Sequence, residues 1–108
     1  MIVSIAFRDS AEDAALRYTV AAECMSFARV NDTITRIEVA FRQSDIAPTQ
    51  IAHCHIAIYL SNQTKVDCSA QHCSEEAAFY LAVEYALNKL FRLQTVKKRT
   101  RNGVKSLA

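Results

Sequence analysis

The sequence contains almost no glycine or proline, and it has no acidic residue after Glu84. In 108 residues the only proline is Pro48 and the only glycine is Gly103. A glycine-rich loop that cradles phosphate at the start of a helix is therefore absent, which removes one common route to catalysis on nucleotides. No stretch approaches the roughly 20 apolar residues of a membrane-spanning helix. The chain is instead 51% hydrophobic, which is enough for one domain with a core.

Charge is distributed very unevenly along the chain. The net formal charge is only +2, but residues 1–84 carry 6 bases and 11 acids, whereas residues 85–108 carry 7 bases and no acid. The first part therefore has a formal charge of −5 and the second a charge of +7. A cationic end of this kind favours contact with a polyanion, and the alternative is a solvated tail that keeps the protein in solution.

Alternation of apolar and polar residues predicts four β-strands. Only one face of each strand is apolar, which indicates an antiparallel or mixed sheet that is covered on one side and open on the other. The polar stretch Gln43–Gln50, which contains Pro48, is predicted to be a loop. The predicted strands are Ile2–Phe7, Ile34–Arg42, Ile51–Leu60 and Lys65–Ala70.

Two segments have the spacing of amphipathic helices. The first is predicted over Ala11–Arg29, with a cap at Asp9 or Ser10, and the last begins at Ser74 with two acids in its first turn. The order β-α-β-β-β-α predicts an α+β fold with a four-stranded sheet and both helices packed on one face. We expect residues 1–96 to form this domain and residues 97–108 a basic, flexible tail. The last helix is expected to bury a stripe of Phe79, Ala82, Val83, Ala86, Leu90 and Leu93.

The cysteines and histidines offer little for catalysis or metal binding. His53 and His55 share one face of a strand, but no C-x-x-C occurs, and no four ligands converge in any simple strand pairing. Cys73, beside His72 and just before a helix, is the one suggestive nucleophile, and no acid is placed to orient that histidine. We therefore expect no enzyme activity, no metal and no cofactor.

The N-terminal segment and the cysteines indicate a location inside the cell. Residues 1–7 are too few for a signal peptide and lack a basic region before them. A cytoplasmic location is expected, with reduced thiols. Cys54 and Cys68 lie on the core face of neighbouring strands, where two small buried side chains are favoured over a disulfide.

Two segments, in this order and spacing, carry a family resemblance. The run Ala15–Val20 (ALRYTV) is similar to Ala-Leu-Arg-x-x-Val, and Tyr80–Arg92 is similar to Tyr-Ala-Ala-Ile-Asp-x-x-x-Asp-Lys-Leu-x-Arg. The chain thus resembles, over nearly its whole length, the short ribosome hibernation-promoting factors, also known as ribosomal subunit interface or sigma-54 modulation proteins.

This resemblance implies a fold like that of double-stranded RNA-binding domains and no chemistry. It also implies docking on rRNA of the small ribosomal subunit, in the channel used by mRNA and tRNA, which would inhibit translation during hibernation under stress. No membrane and no small-molecule substrate is implied. The rRNA-binding residues by position are Arg17, Lys89, Arg92 and Lys98, and the basic run continues through Lys97, Arg99 and Arg101.

The chain departs from the family pattern in its first helix. Glu23 and Ser26 stand where relatives usually have lysines. This departure favours an alternative function: a protein-interaction module of the same fold that forms a homodimer through its open sheet face and has lost tight ribosome binding. His53, His55 and Tyr59 are predicted to lie on that face.

Overall fold

The computed structural model describes the backbone of residues 1–8, 12–46 and 49–107. It describes the side chains of residues 1–8, 12–29, 31–44 and 51–93. The predicted element order and the α+β class are confirmed. The elements are β1 (Ile2–Arg8), α1 (Ala14–Val30), β2 (Ile34–Ile46), β3 (Thr49–Leu60), β4 (Lys65–His72) and α2 (Glu75–Leu107).

Within these ranges the four strands form one mixed sheet in the order β1-β2-β3-β4. Strand β1 is parallel to β2, because the helix α1 connects them as a crossover, whereas β2, β3 and β4 are joined as antiparallel neighbours. Ile5 pairs with Val39, which pairs with Ile56, which pairs with Cys68. Strands β1 and β4 are therefore the two edges of the sheet.

Both helices cover the same face of the sheet, as predicted. Leu16, Val20 and Cys24 of α1 belong to one buried cluster with Phe79 and Ala86 of α2. The inward-facing residues of all four strands pack against this cluster, and the opposite face of the sheet is left open. No helix in the described residues is long and apolar enough to cross a bilayer.

The helix starts follow from side-chain caps. The Ser74 hydroxyl accepts a hydrogen bond from the Ala77 amide at 3.1 Å, so the predicted start of α2 is confirmed. Helix α1 begins three residues later than expected, because the Asp13 carboxylate caps it by accepting from the Leu16 amide at 3.1 Å. The predicted caps Asp9 and Ser10 lie outside the described residues.

Two expectations about local structure are wrong. The stretch Gln43–Gln50 is not simply a loop, since β2 continues to Ile46 and β3 begins at Thr49, with Gln43 paired to Ala52 and Asp45 to Gln50. Backbone hydrogen bonds extend this hairpin without needing apolar alternation. Residues 47 and 48 lie outside the described ranges.

Leu93 was expected in the buried stripe of α2, but it is 38% exposed. It lies in a groove between α2 and β4 instead of on the core. The backbone of α2 continues to Leu107. The flexible basic tail over residues 97–108 stays a prediction.

We predict that Phe41→Ala lowers the free energy of unfolding by about 3–5 kcal/mol, the usual cost of removing a buried aromatic ring. The Phe41 ring is fully buried and lies 5.1 Å from the Phe7 ring centroid and 6.2 Å from that of Phe79. Urea unfolding followed by far-UV circular dichroism measures the loss. Tyr18→Ala is the control, because Tyr18 is 79% exposed and its loss should change stability by less than about 0.5 kcal/mol. Equal effects of the two substitutions would contradict this core.

Candidate nucleic-acid interface

Lys89 and Arg92 lie on α2 where the helix passes edge strand β4. Together with the start of β4 they line a groove of about 330 Å³, which we call the β4–α2 groove. Three bases and one acid belong to it, so the groove has a cationic lining. Its lining residues are Thr64, Lys65, Val66, Asp67, Lys89, Arg92 and Leu93.

Lys89 caps the open edge of β4. Its ammonium donates a hydrogen bond to the main-chain carbonyl of Asp67 at 2.6 Å. An edge strand has backbone groups without a neighbouring strand, and a lysine that satisfies one of them discourages pairing with another chain. An ammonium has three N–H donors, so two remain for an anion after this bond is made.

Lys65 is a base of this groove that is not among the rRNA-binding residues expected from the sequence. Its ammonium lies 3.6 Å from a carboxylate oxygen of Asp67 and 5.3 Å from the centroid of the Tyr59 ring. The Asp67 carboxylate, followed by Tyr59, raises the pKa of Lys65, so this lysine stays charged. The alternation of apolar and polar residues along β4 predicts that the Lys65 side chain points away from the core. Its closeness to α2 required the three-dimensional structure.

Arg17 lies at the opposite edge of the sheet, against β1. Its guanidinium forms an ion pair with Glu12, donates to the Ile5 carbonyl at 3.5 Å and lies 5.7 Å from the centroid of the Phe7 ring. Four strands place the two edges roughly 14 Å apart. The structure therefore does not bring Arg17 into the groove with Lys89.

The other predicted rRNA-binding residues lie beyond the described side chains. The backbone of α2 passes through their positions, and their side-chain positions stay predictions. They are Lys97, Lys98, Arg99 and Arg101.

The outer surface of α1 is poor in bases in the described region. Its exposed large apolar residues are Tyr18 and Met25, and the Ser26 hydroxyl donates back to the Ala22 carbonyl at 3.3 Å. Glu23 is half-buried beside Cys24. Arg29 in the last turn is an exposed base, whereas Arg17 is paired with Glu12, so this surface offers phosphate few contacts.

Several polar and charged side chains of the open sheet face contact one another. Glu38 accepts from Arg36 at 2.8 Å and from the Tyr59 hydroxyl at 3.2 Å. Asp67 lies 3.1 Å from His55. His53 contacts the Ser44 hydroxyl at 3.0 Å. The predicted placement of Tyr59 and both histidines on this face agrees with these contacts.

The four cysteines form no disulfide. Cys24, Cys54 and Cys68 are buried, and Cys73 is exposed with its sulfur 3.1 Å from Nδ1 of His72. In the described part of the chain no three histidine, cysteine or acidic side chains gather into a metal-binding group.

Comparison with known proteins identifies the fold. No family model and no curated protein sequence matches the chain. A ribosomal subunit interface protein from Coxiella burnetii has the same fold, with a TM-score of 0.77 and 13% identity over 88% of this chain and 99% of that one. The Protein Y N-terminal domain from Thermus thermophilus matches with a TM-score of 0.70 and 19% identity, over 86% of this chain and 99% of that one. The resemblance read from the sequence is thus confirmed in the fold.

We predict that Cys73, the exposed cysteine, is the one thiol of the four that reacts quickly with a thiol reagent in the folded protein at pH 8. Burial raises the pKa of Cys24 and Cys54 to about 12 and also raises that of Cys68, so their thiolates, the reactive form, are scarce. A colour assay with a disulfide reagent, before and after adding denaturant, counts the reactive groups. Cys73→Ser should abolish the fast phase, and more than one fast thiol would contradict the burial of Cys24, Cys54 and Cys68.

Proposed function

We propose that the protein is a non-enzymatic, ribosome-associated factor that binds rRNA of the small subunit and blocks the channel used by mRNA and tRNA. The observation that carries the proposal is the cationic second half of α2 on a fold shared with a ribosomal subunit interface protein. Such a factor would act in the cytoplasm and inhibit translation in hibernating ribosomes under stress.

The physical basis is the phosphate backbone of RNA. Lys89 and Arg92 are separated by three residues, so they project from neighbouring positions on one side of the helix. The hydrogen bond from the Lys89 ammonium to the main-chain carbonyl of Asp67 holds Lys89 in place without neutralising its charge. Phosphate contacts position a protein on nucleic acid, and each contributes to a steep dependence of affinity on salt.

The remaining bases extend this surface along the sequence. Lys97, Lys98, Arg99 and Arg101 follow with no intervening acid, so a polyanion meets no repulsion from the last part of the chain. We expect Arg17 to contribute less to rRNA binding than Lys89 and Arg92, because it would have to give up its ion pair with Glu12 to bind a phosphate.

We predict that Lys89→Gln/Arg92→Gln weakens binding to small ribosomal subunits and reduces its salt dependence. Loss of two phosphate contacts should lower the slope of log affinity against log salt by about 1.5. Pelleting with purified subunits over a salt series measures both quantities. The control is Arg29→Gln/Arg42→Gln, which removes the same charge from two exposed bases outside the groove.

Circular dichroism must show that both double variants fold. If the two variants pellet alike at every salt concentration, Lys89 and Arg92 are not part of the ribosome-binding surface. If neither variant nor the parent protein pellets at low salt, the ribosome-associated function is wrong.

A second candidate function, pairing of two copies through the open sheet face, is favoured by the order of charges on that face. Arg36, Tyr59 and Lys65 lie in one transverse row, and Glu38 and Asp67 lie in the next. A two-fold axis between these rows would place the cations of one copy opposite the acids of the other. Ala57, which lies between the two acids, is 1% exposed, so the larger side chains around it would make the contacts between the copies.

For this candidate we predict that light scattering finds a mass of two chains and that Ala40→Arg reduces it to one. Ala40 is a half-buried residue in the middle of the open face, where a long charged side chain would hold two sheets apart. Ala22→Arg is the matched control on the exposed side of α1. A single-chain mass for the parent protein at all concentrations would rule out the dimer.

A further inference from the structure

The β4–α2 groove combines an apolar wall with a cationic rim. Leu93 projects into it with 38% of its surface exposed, although the same helix buries Leu90 three residues earlier. Val66 forms part of the floor, and the aliphatic stems of lysines can cover further apolar surface. A groove built only to follow phosphates would not need this apolar wall.

The charges at the rim are unbalanced in favour of the cations. Lys65, Lys89 and Arg92 face one acid, Asp67, whose carboxylate already contacts Lys65 and His55. Lys89 bonds to a neutral carbonyl. Arg92 forms no ion pair with any acid that the structure describes. The groove is therefore electrostatically complementary to a single phosphate group.

Thr64 adds a neutral polar group to the lining of the groove. Its hydroxyl can both donate and accept a hydrogen bond. The main-chain amide of Thr64 is already bonded to Asn62 and its carbonyl to the Leu60 amide, so the position of the residue is well defined. A hydroxyl beside an apolar wall is suited to the edge of a nucleobase.

We propose that the β4–α2 groove binds one unstacked nucleotide of single-stranded RNA. The phosphate contacts Lys65, Lys89 and Arg92, and the base packs on Leu93 with its edge towards Thr64. This inference rests on the proposed function for its choice of RNA as the partner, and it adds the form of RNA that is bound and two residues, Lys65 and Leu93.

The size and shape of the groove favour a single strand over a duplex. Its volume of about 330 Å³ is at the lower end of the range of pockets that hold small ligands. In a duplex the bases are stacked and paired, so only phosphates and riboses would reach the groove, and Leu93 would stay exposed. In loops and single strands the bases can turn outwards and pack on protein side chains.

The test compares three labelled RNAs by fluorescence anisotropy at one salt concentration. They are a single-stranded hexamer, the same hexamer with abasic riboses, and a duplex of the same length. We expect the hexamer to bind about five- to tenfold more tightly than the other two, since packing of a base adds to the phosphate contacts.

Two pairs of variants then assign the contacts to the groove. Leu93→Ser should weaken binding of the hexamer several-fold without changing its salt slope, whereas Leu87→Ser should not, although Leu87 is 42% exposed on the same helix. Lys65→Gln should lower the salt slope for the single strand by about 0.7, whereas Arg29→Gln should leave it unchanged.

Each outcome supports or overturns the inference. Equal affinity for the hexamer, the abasic strand and the duplex would overturn it, as would equal effects of Leu93→Ser and Leu87→Ser. Tighter binding of a phosphopeptide than of the hexamer would also overturn it. Ribosome pelleting that depends on Lys89 and Arg92, together with equal affinity for the three RNAs, would reject the groove and keep the proposed function. Tighter binding of the hexamer than of the other two RNAs, together with no pelleting of the parent protein with ribosomes, would keep the groove and reject the proposed function.

Discussion

The structure depends on one constraint: each strand of the sheet is apolar on one face only. Both helices must therefore lie on that face, where Phe41 and Phe79 are fully buried, and the other face stays polar. With the helices confined to one layer, nothing in the described chain continues the sheet at β1 or β4. The backbone groups along these edges must then find partners other than strands.

The bases at the two edges supply such partners. Arg17 donates to the Ile5 carbonyl of β1, and Lys89 donates to the Asp67 carbonyl of β4. The two contacts differ in what they leave available. Arg17 also has Glu12 as an ion-pair partner, whereas Lys89 bonds to a neutral group and keeps its charge and two donors. A residue that stabilises the edge of the sheet can thus serve at the same time as part of a cationic surface.

Periodic features of the fold were predictable from the sequence, and contacts between distant segments were not. Alternation located the strands, and Ser74 located the start of α2. The hairpin extension at Gln43 was missed because backbone pairing leaves no apolar pattern in polar residues. The cap at Asp13 was missed because several acids and hydroxyls near the start of α1 had equal claims. Lys89 and Lys65 line the same groove because of how β4 is positioned beneath α2. No local sequence pattern encodes that position.

The open face and the groove share two residues, and this links the two candidate functions. Lys65 and Asp67 line the groove, and they also belong to the charge rows through which two copies would pair. In such a pair Lys65 of one copy would lie opposite Asp67 of the other, so the second copy and a nucleotide phosphate would compete for Lys65. If both occur, each must weaken the other by the same factor, because coupling between two binding equilibria is reciprocal. Dimer formation would then inhibit RNA binding. The strand β4 would couple the two equilibria, because Lys65 and Asp67 belong to both surfaces.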